Sequence, residues 1–85
     1  MQMALEEIKK ARVFVVGFRQ TMKALESNSA QDIYVAGDAE ERVTSLVLKL
    51  CVEKGVQVYH VDTMSELGKA CNIKVGAAVA AIIEK

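Results

Sequence analysis

Val13-Phe14-Val15-Val16-Gly17-Phe18-Arg19-Gln20-Thr21-Met22-Lys23-Ala24-Leu25 changes its hydrophobic period in the middle. The first four residues form a continuous apolar run of β-formers, which reads as a buried strand. Gly17 ends that run. Beyond it Phe18, Met22 and Leu25 recur at i, i+4 and i+7, the spacing of a helix with one apolar face. A strand that feeds a helix is the building unit of an α/β fold.

The same alternation continues on both sides. Residues 3–10 read as a short helix ahead of the strand. Asn28-Ser29 breaks the second helix, and Ile33-Tyr34-Val35-Ala36 reads as a second strand closed by Gly37. Asp38 with Glu41 has the spacing of a helix N-cap and its third-position acid. The helix they predict places Val43, Leu46, Val47, Leu50 and Cys51 on its core face and stops at Gly55. Val56 to Val61 alternates as a third strand. Thr63 and Glu66 form another capping box, opening a helix with Met64, Leu67, Gly68 and Cys71 facing inward. Alanine favours a helix over Ala77 to Ile83, but the position after a helix and the Ile82-Ile83 end favour a strand. The expectation is one domain over residues 1–85: a three-layer α/β/α sandwich with a mixed four-stranded sheet, the first strand and its neighbours buried on both faces.

Composition narrows the class. A chain of 85 residues makes one domain, and 52% hydrophobic content with mean hydropathy +0.19 supports a modest core. There is no proline, and no apolar run approaches the roughly 18 residues a membrane span needs. The N-terminal residues from Met1 to Glu7 have neither the basic region nor the apolar stretch of a secretory leader, so cytoplasm is expected. Cys51 and Cys71 lack Cys-x-x-Cys spacing and have only His60 as company, so both read as buried apolar residues.

Formal net charge is zero, which by itself argues against a nucleic-acid binder. Its distribution is uneven: +3 over residues 1–23, −5 over 26–66 and +2 over 67–85. Were the two end blocks brought together, one face would be basic and the opposite face acidic.

Two clusters stand out. On the helix after Gly17, Arg19, Gln20 and Lys23 fall together opposite the apolar arc, within the first two turns where unpaired backbone N–H groups attract acceptors. Arginine bonds a guanine edge or phosphate in a fork, glutamine donates and accepts, and lysine adds a point charge. The plainer reading is a solvated helix face. The second cluster is Asn72-Ile73-Lys74-Val75-Gly76. Asn72 sits where a helix often ends left-handed, and Gly76 lets the chain turn. Ile73 and Val75 flank a lysine, suited to packing on bases while Lys74 meets phosphate. Alternatively one or both aliphatic groups fold under as core.

Catalysis finds little support. A single histidine on a strand makes no triad, Asp38 and Glu41 are accounted for by capping, and the glycines follow no phosphate-loop spacing. No cofactor, metal or enzymatic activity is expected.

From Gly17 to Leu25, through Ala36-Gly37-Asp38, to Leu67–Ala77 and the Val79–Ile83 strand, the chain resembles the kink-turn RNA-binding ribosomal proteins of the L-seven-Ae/L-thirty-e type. Its likeness is greatest to the short bacterial YbxF-like members. The resemblance implies the same α/β/α fold and a site for kink-turns, RNA helices bent at a bulge beside sheared G·A pairs. It implies that Arg19, Gln20 and Lys23 meet those guanines and nearby phosphates, helped by backbone groups around Gly17 and Phe18. The loop Asn72 to Gly76, through Ile73, Lys74 and Val75, would cap the bulged nucleotides. Arg19-Gln20 stand where the archaeal pattern has Asn-Glu, and Val75 stands where its loop has arginine. The expected partner is structured RNA, with the ribosome as a candidate setting, bound by a monomer away from any membrane. The competing reading is a protein–protein interaction module of the same fold.

Overall fold

The structure, a computed structural model, describes residues 3–85, with side chains from Leu5 onward. Met1 and Gln2, part of the segment read as carrying no leader, lie outside the described residues. The elements are α1 (Met3–Lys10), β1 (Val13–Val16), α2 (Phe18–Glu26), β2 (Asp32–Ala36), α3 (Glu41–Lys54), β3 (Gln57–Val61), α4 (Met64–Ala70) and β4 (Val79–Glu84). The sheet order is β1-β4-β2-β3, with β4 antiparallel to both neighbours and β2 parallel to β3. The alanine-rich run is therefore a strand, and it occupies the centre of the sheet.

Alternation along each strand divides the core in two. Tyr34, Ala80 and Ile82 face one side and pack with Leu5 and Ile8 of α1 and Leu67, Ala70 and Cys71 at α4. Ile33, Val35, Val79 and Ala81 face the other and pack with Ala24 and Leu25 of α2 and Val47 and Cys51 of α3. This is the three-layer α/β/α sandwich. Small side chains on the central strand let both helical layers approach it. Burying a leucine such as Leu25 or Leu67 contributes roughly 1.5–3 kcal/mol. Among the described residues, no helix is long and apolar enough to cross a membrane.

Four expectations need correction. β1 is an edge strand, half-buried along its length with Val13 exposed, because β4 and β2 take the doubly covered places. On α2 the buried face is Thr21, Ala24 and Leu25, so Phe18 and Met22 lie on its half-buried flank. On α3 the core face is Val47 and Cys51, whereas Leu46 is 52% exposed. Asp38 does not cap α3, whose N-cap is Glu40 with no side-chain bond. Its Oδ1 instead accepts the Met64 N–H at 2.7 Å, at the start of α4. The second box is borne out, since Thr63 Oγ1 accepts from the Glu66 N–H at 3.1 Å.

Helix ends follow one scheme. Asn28, Gly55 and Asn72 take left-handed backbone conformations after α2, α3 and α4. After α4 the Asn72 N–H donates to the Lys69 carbonyl and the Ile73 N–H to the Gly68 carbonyl, both at 3.0 Å. That pair of bonds satisfies carbonyls the helix would otherwise leave open.

Both cysteines are buried and unpaired. Burial pushes the Cys71 thiol up to about 11 and raises Cys51 as well. Tyr34 is also shifted upward, first by burial and then by the nearby Asp32 carboxylate. In each case the folded chain keeps a proton that the unfolded chain releases, so stability is complete below the ordinary thiol range and declines above it. Urea unfolding should give the same midpoint at pH 7 and 8, then lose on the order of 1–2 kcal/mol by pH 10.5. A midpoint that does not fall at alkaline pH would refute the buried-thiol assignment.

Candidate nucleic-acid interface

The carboxyl ends of β1, β2 and β3 and the start of β4 share one end of the sheet, as the pairs Val16↔Ala80, Val35↔Val79 and Ala36↔Val61 require. Both sequence-predicted clusters are anchored there. The Gly17 N–H donates to the Val79 carbonyl at 2.9 Å, fixing the start of α2 against the start of β4. Gly17 has φ 100° and ψ 161°, a conformation that glycine adopts at little cost. It offers no capping side chain, so N–H groups in the first turn of α2 remain available to an acceptor. Arg19, Gln20 and Lys23 are all exposed on the outward arc of this helix. Together with Phe18, Met22 and Glu26 they line a shallow groove.

The second cluster is clasped onto α4. A Cβ on Gly68 would overlap the Val75 carbonyl oxygen, so the loop can lie this close only because position 68 has no side chain. Gly76 packs beside Met64, where an added Cβ would come 3.1 Å from the Met64 Cβ. The Ala77 N–H donates to the Met64 carbonyl at 3.0 Å. The carboxylate of Asp38 holds the N–H of the same Met64, so this residue is gripped from both sides. Within the loop, Ile73 is half-buried against the α1/α4 core, while Lys74 and Val75 project outward, Val75 at 71% exposure. One aliphatic group thus folds partly under and the other is offered to solvent. Asn72 and Gly76 are exposed at the ends of the loop.

Both predicted clusters are thus anchored at the same end of the sheet, Gly17 to Lys23 after β1 on the α2/α3 face and Asn72 to Gly76 before β4 on the α1/α4 face. The link is short, since Gly17 is bonded directly to Val79, three residues past Gly76. Arg19 and Lys23 stand on α2, which packs over β4 and β1, Lys74 stands on the loop clasped to α4, and Asp38 and Asp62 follow β2 and β3. Of the other end-block cations, Lys69 lies in the last turn of α4 next to the loop, and three are paired away from the site. Arg12 pairs with Glu84 at 3.6 Å and Lys85 with Asp32 at 3.1 Å, both at the opposite end of the sheet, and Lys9 pairs with Glu6 along α1. Among the described residues, none of the four ion pairs uses Arg19, Lys23 or Lys74.

The residues that reading by segment missed are supports. Asp38 was assigned to the wrong helix, because local spacing cannot reveal a partner 26 residues away. Gly68 carried a signal, as a glycine inside a helix is unfavourable without a packing reason. His60 is exposed on β3, and no cluster of three metal-binding side chains occurs among the described residues.

The whole chain, residues 1–85, matches the model of the Ribosomal protein L7Ae/L30e/S12e/Gadd45 family. A protein of Bacillus pumilus named "RNA-binding protein" is 46% identical over 81 residues, covering 95% of this chain and 99% of that one. "RNA-binding protein YbxF" of Geobacillus stearothermophilus is 41% identical over the same coverage. In three dimensions the chain superposes on the "Giardia lamblia 15.5kD RNA binding protein" with TM-score 0.84, at 23% identity, over 95% of this chain and 68% of that one. An exposed cationic helix face and a glycine-clasped loop on an α/β/α sandwich define a small protein built around one end of its sheet. The chain belongs to the L7Ae/L30e/S12e/Gadd45 family of ribosomal-type proteins.

Gly68→Ala should dislodge the loop without unfolding the sheet. Far-ultraviolet circular dichroism should be preserved, while amide exchange at Ile73 and Ala77 accelerates at least tenfold. Asp38→Ala should speed exchange at the Met64 amide and leave the first turn of α3 unchanged. Faster exchange in α3 instead would restore the original capping assignment.

Proposed function

We propose that this protein is a non-catalytic RNA-binding protein that recognises kink-turns, in ribosomal RNA or a riboswitch. The observation that supports the reading is the Gly17–Val79 hydrogen bond, which ties the start of α2 to the start of β4, the strand that the loop from Asn72 to Gly76 leads into. The relatives named as RNA-binding proteins point to the same class of partner. In this reading Arg19 and Gln20 address the guanine edges of the sheared G·A pairs, and Lys23 meets phosphate. Backbone N–H groups beside Gly17 and Phe18 supply further donors. The exposed Val75 and the half-exposed Ile73 lie on the extruded bases, with Lys74 on the backbone around them. A bent RNA presents its bases and phosphates already splayed, so recognition is by shape. The protein acts as a cytoplasmic monomer, and Gln20 supplies one neutral acceptor where a carboxylate would supply two charged ones.

A gel shift with a standard kink-turn and with the same RNA lacking its G·A pairs tests this directly. Binding is expected only to the first. Lys23→Ala should weaken it by about 1–3 kcal/mol, the size of one good base or phosphate contact. Equal loss on a straight duplex of matched length would remove specific recognition.

The competing reading, a protein-interaction module, draws support from Leu46 and Val52, which α3 exposes at 52% and 83%. Salt separates the two. RNA binding should fall steeply with ionic strength, whereas an apolar protein contact should hardly change.

A further inference from the structure

The groove on α2 contains chemistry that the guanine and phosphate contacts leave unused. Its lining is Phe18, Arg19, Gln20, Met22, Lys23 and Glu26. Phe18 and Met22 stand one turn apart, and both are only half-buried, packed on one side against the α2/α3 core. Their other sides face the groove, next to two cations that enter no ion pair among the described residues. An apolar flank of this kind normally turns fully inward; here Thr21, Ala24 and Leu25 hold the buried arc and leave the Phe18 ring partly open. The chain has only two phenylalanines and no tryptophan, so an aromatic face at the first residue of α2 is scarce material in this protein.

Resting on the RNA-binding reading above, we propose that the Phe18–Met22 flank is a base-stacking subsite. It would receive one unpaired nucleobase adjacent to the G·A pairs, with Arg19 and Lys23 on that nucleotide's phosphates. Three features fit this occupant. A partly exposed ring beside arginine and lysine is the arrangement on which single-stranded bases stack. The thioether of Met22 is polarizable and extends the platform by one helical turn. Glu26 closes the far end of the groove with a carboxylate. It repels a further phosphate, so the platform accommodates a short stretch of RNA and not a continuing strand. The subsite is continuous with the proposed guanine contacts, because Arg19 and Lys23 border both.

The test uses the full chain and kink-turn RNAs carrying 2-aminopurine at single unpaired positions flanking the bulge, with a 2-aminopurine-labelled single strand as second probe. Phe18→Leu keeps apolar volume against the core and removes the ring; Phe18→Tyr restores the ring; thermal melting checks that both remain folded. Binding of the unaltered protein is expected to change the fluorescence of one labelled position. Phe18→Leu should abolish that change and weaken kink-turn binding by roughly 5- to 100-fold, and Phe18→Tyr should recover both. If Phe18→Leu binds as tightly as the unaltered protein and no labelled base responds, the subsite is overturned while kink-turn recognition stands. If the kink-turn is not bound but the single strand is, with the same dependence on Phe18, the subsite stands and the kink-turn reading falls. Binding to neither RNA overturns both.

Discussion

The structure depends on β4 being buried on both faces at the centre of the sheet. β1 and β2 do not touch each other; each bonds only to β4 on its inner side. Both hydrophobic layers are completed by its side chains, Val79 and Ala81 on one face and Ala80 and Ile82 on the other. The same strand sets the candidate site, because its first residue accepts the Gly17 N–H and its approach is the loop from Asn72 to Gly76. Val16 and Ala80 pair across 64 residues of chain, so neither core layer nor interface exists until this distant contact is made. Folding of this kind is governed by long-range closure more than by local helix formation.

A second theme is how rigidly an irregular loop can be held. Five residues with exposed polar ends would ordinarily be mobile. Here the Schellman bonds after α4, the missing side chain at Gly68 and the two-sided grip on Met64 fix the loop's backbone. The side chains can then face solvent without the backbone wandering. Exposure of Val75 beside a fixed backbone distinguishes this loop from a frayed turn.

Much of the fold was legible in the sequence because local patterns and global demands agree in it. Val13–Val16 and Ile33–Ala36 are unbroken runs of β-formers, the helix from Val43 to Cys51 carries a helical period, and Gly55 and Asn72 mark ends by their backbone tolerance. The alanine-rich run was ambiguous locally, and only its neighbours showed it to be a strand. Reading failed where the deciding partner is remote. Four apolar residues from Val13 look the same at an edge and in the middle of a sheet. The rotation of α2 by part of a turn, which exposes Phe18 and Met22, depends on how the helix sits on β4. The two candidate clusters were legible through residue chemistry and family likeness, but their anchoring at one end of the sheet follows from strand order, which no local spacing reports.

Cys51 belongs to the α2/α3 layer and Cys71 to the α1/α4 layer, with the sheet standing between them. The two sulfurs therefore cannot meet while the sheet is intact, and oxidation offers the folded chain no internal crosslink. Each layer instead carries its own silent sulfur, concealed from solvent by a different pair of helices. A reagent that captures one and spares the other would distinguish the peeling of a single helical layer from collapse of the whole molecule.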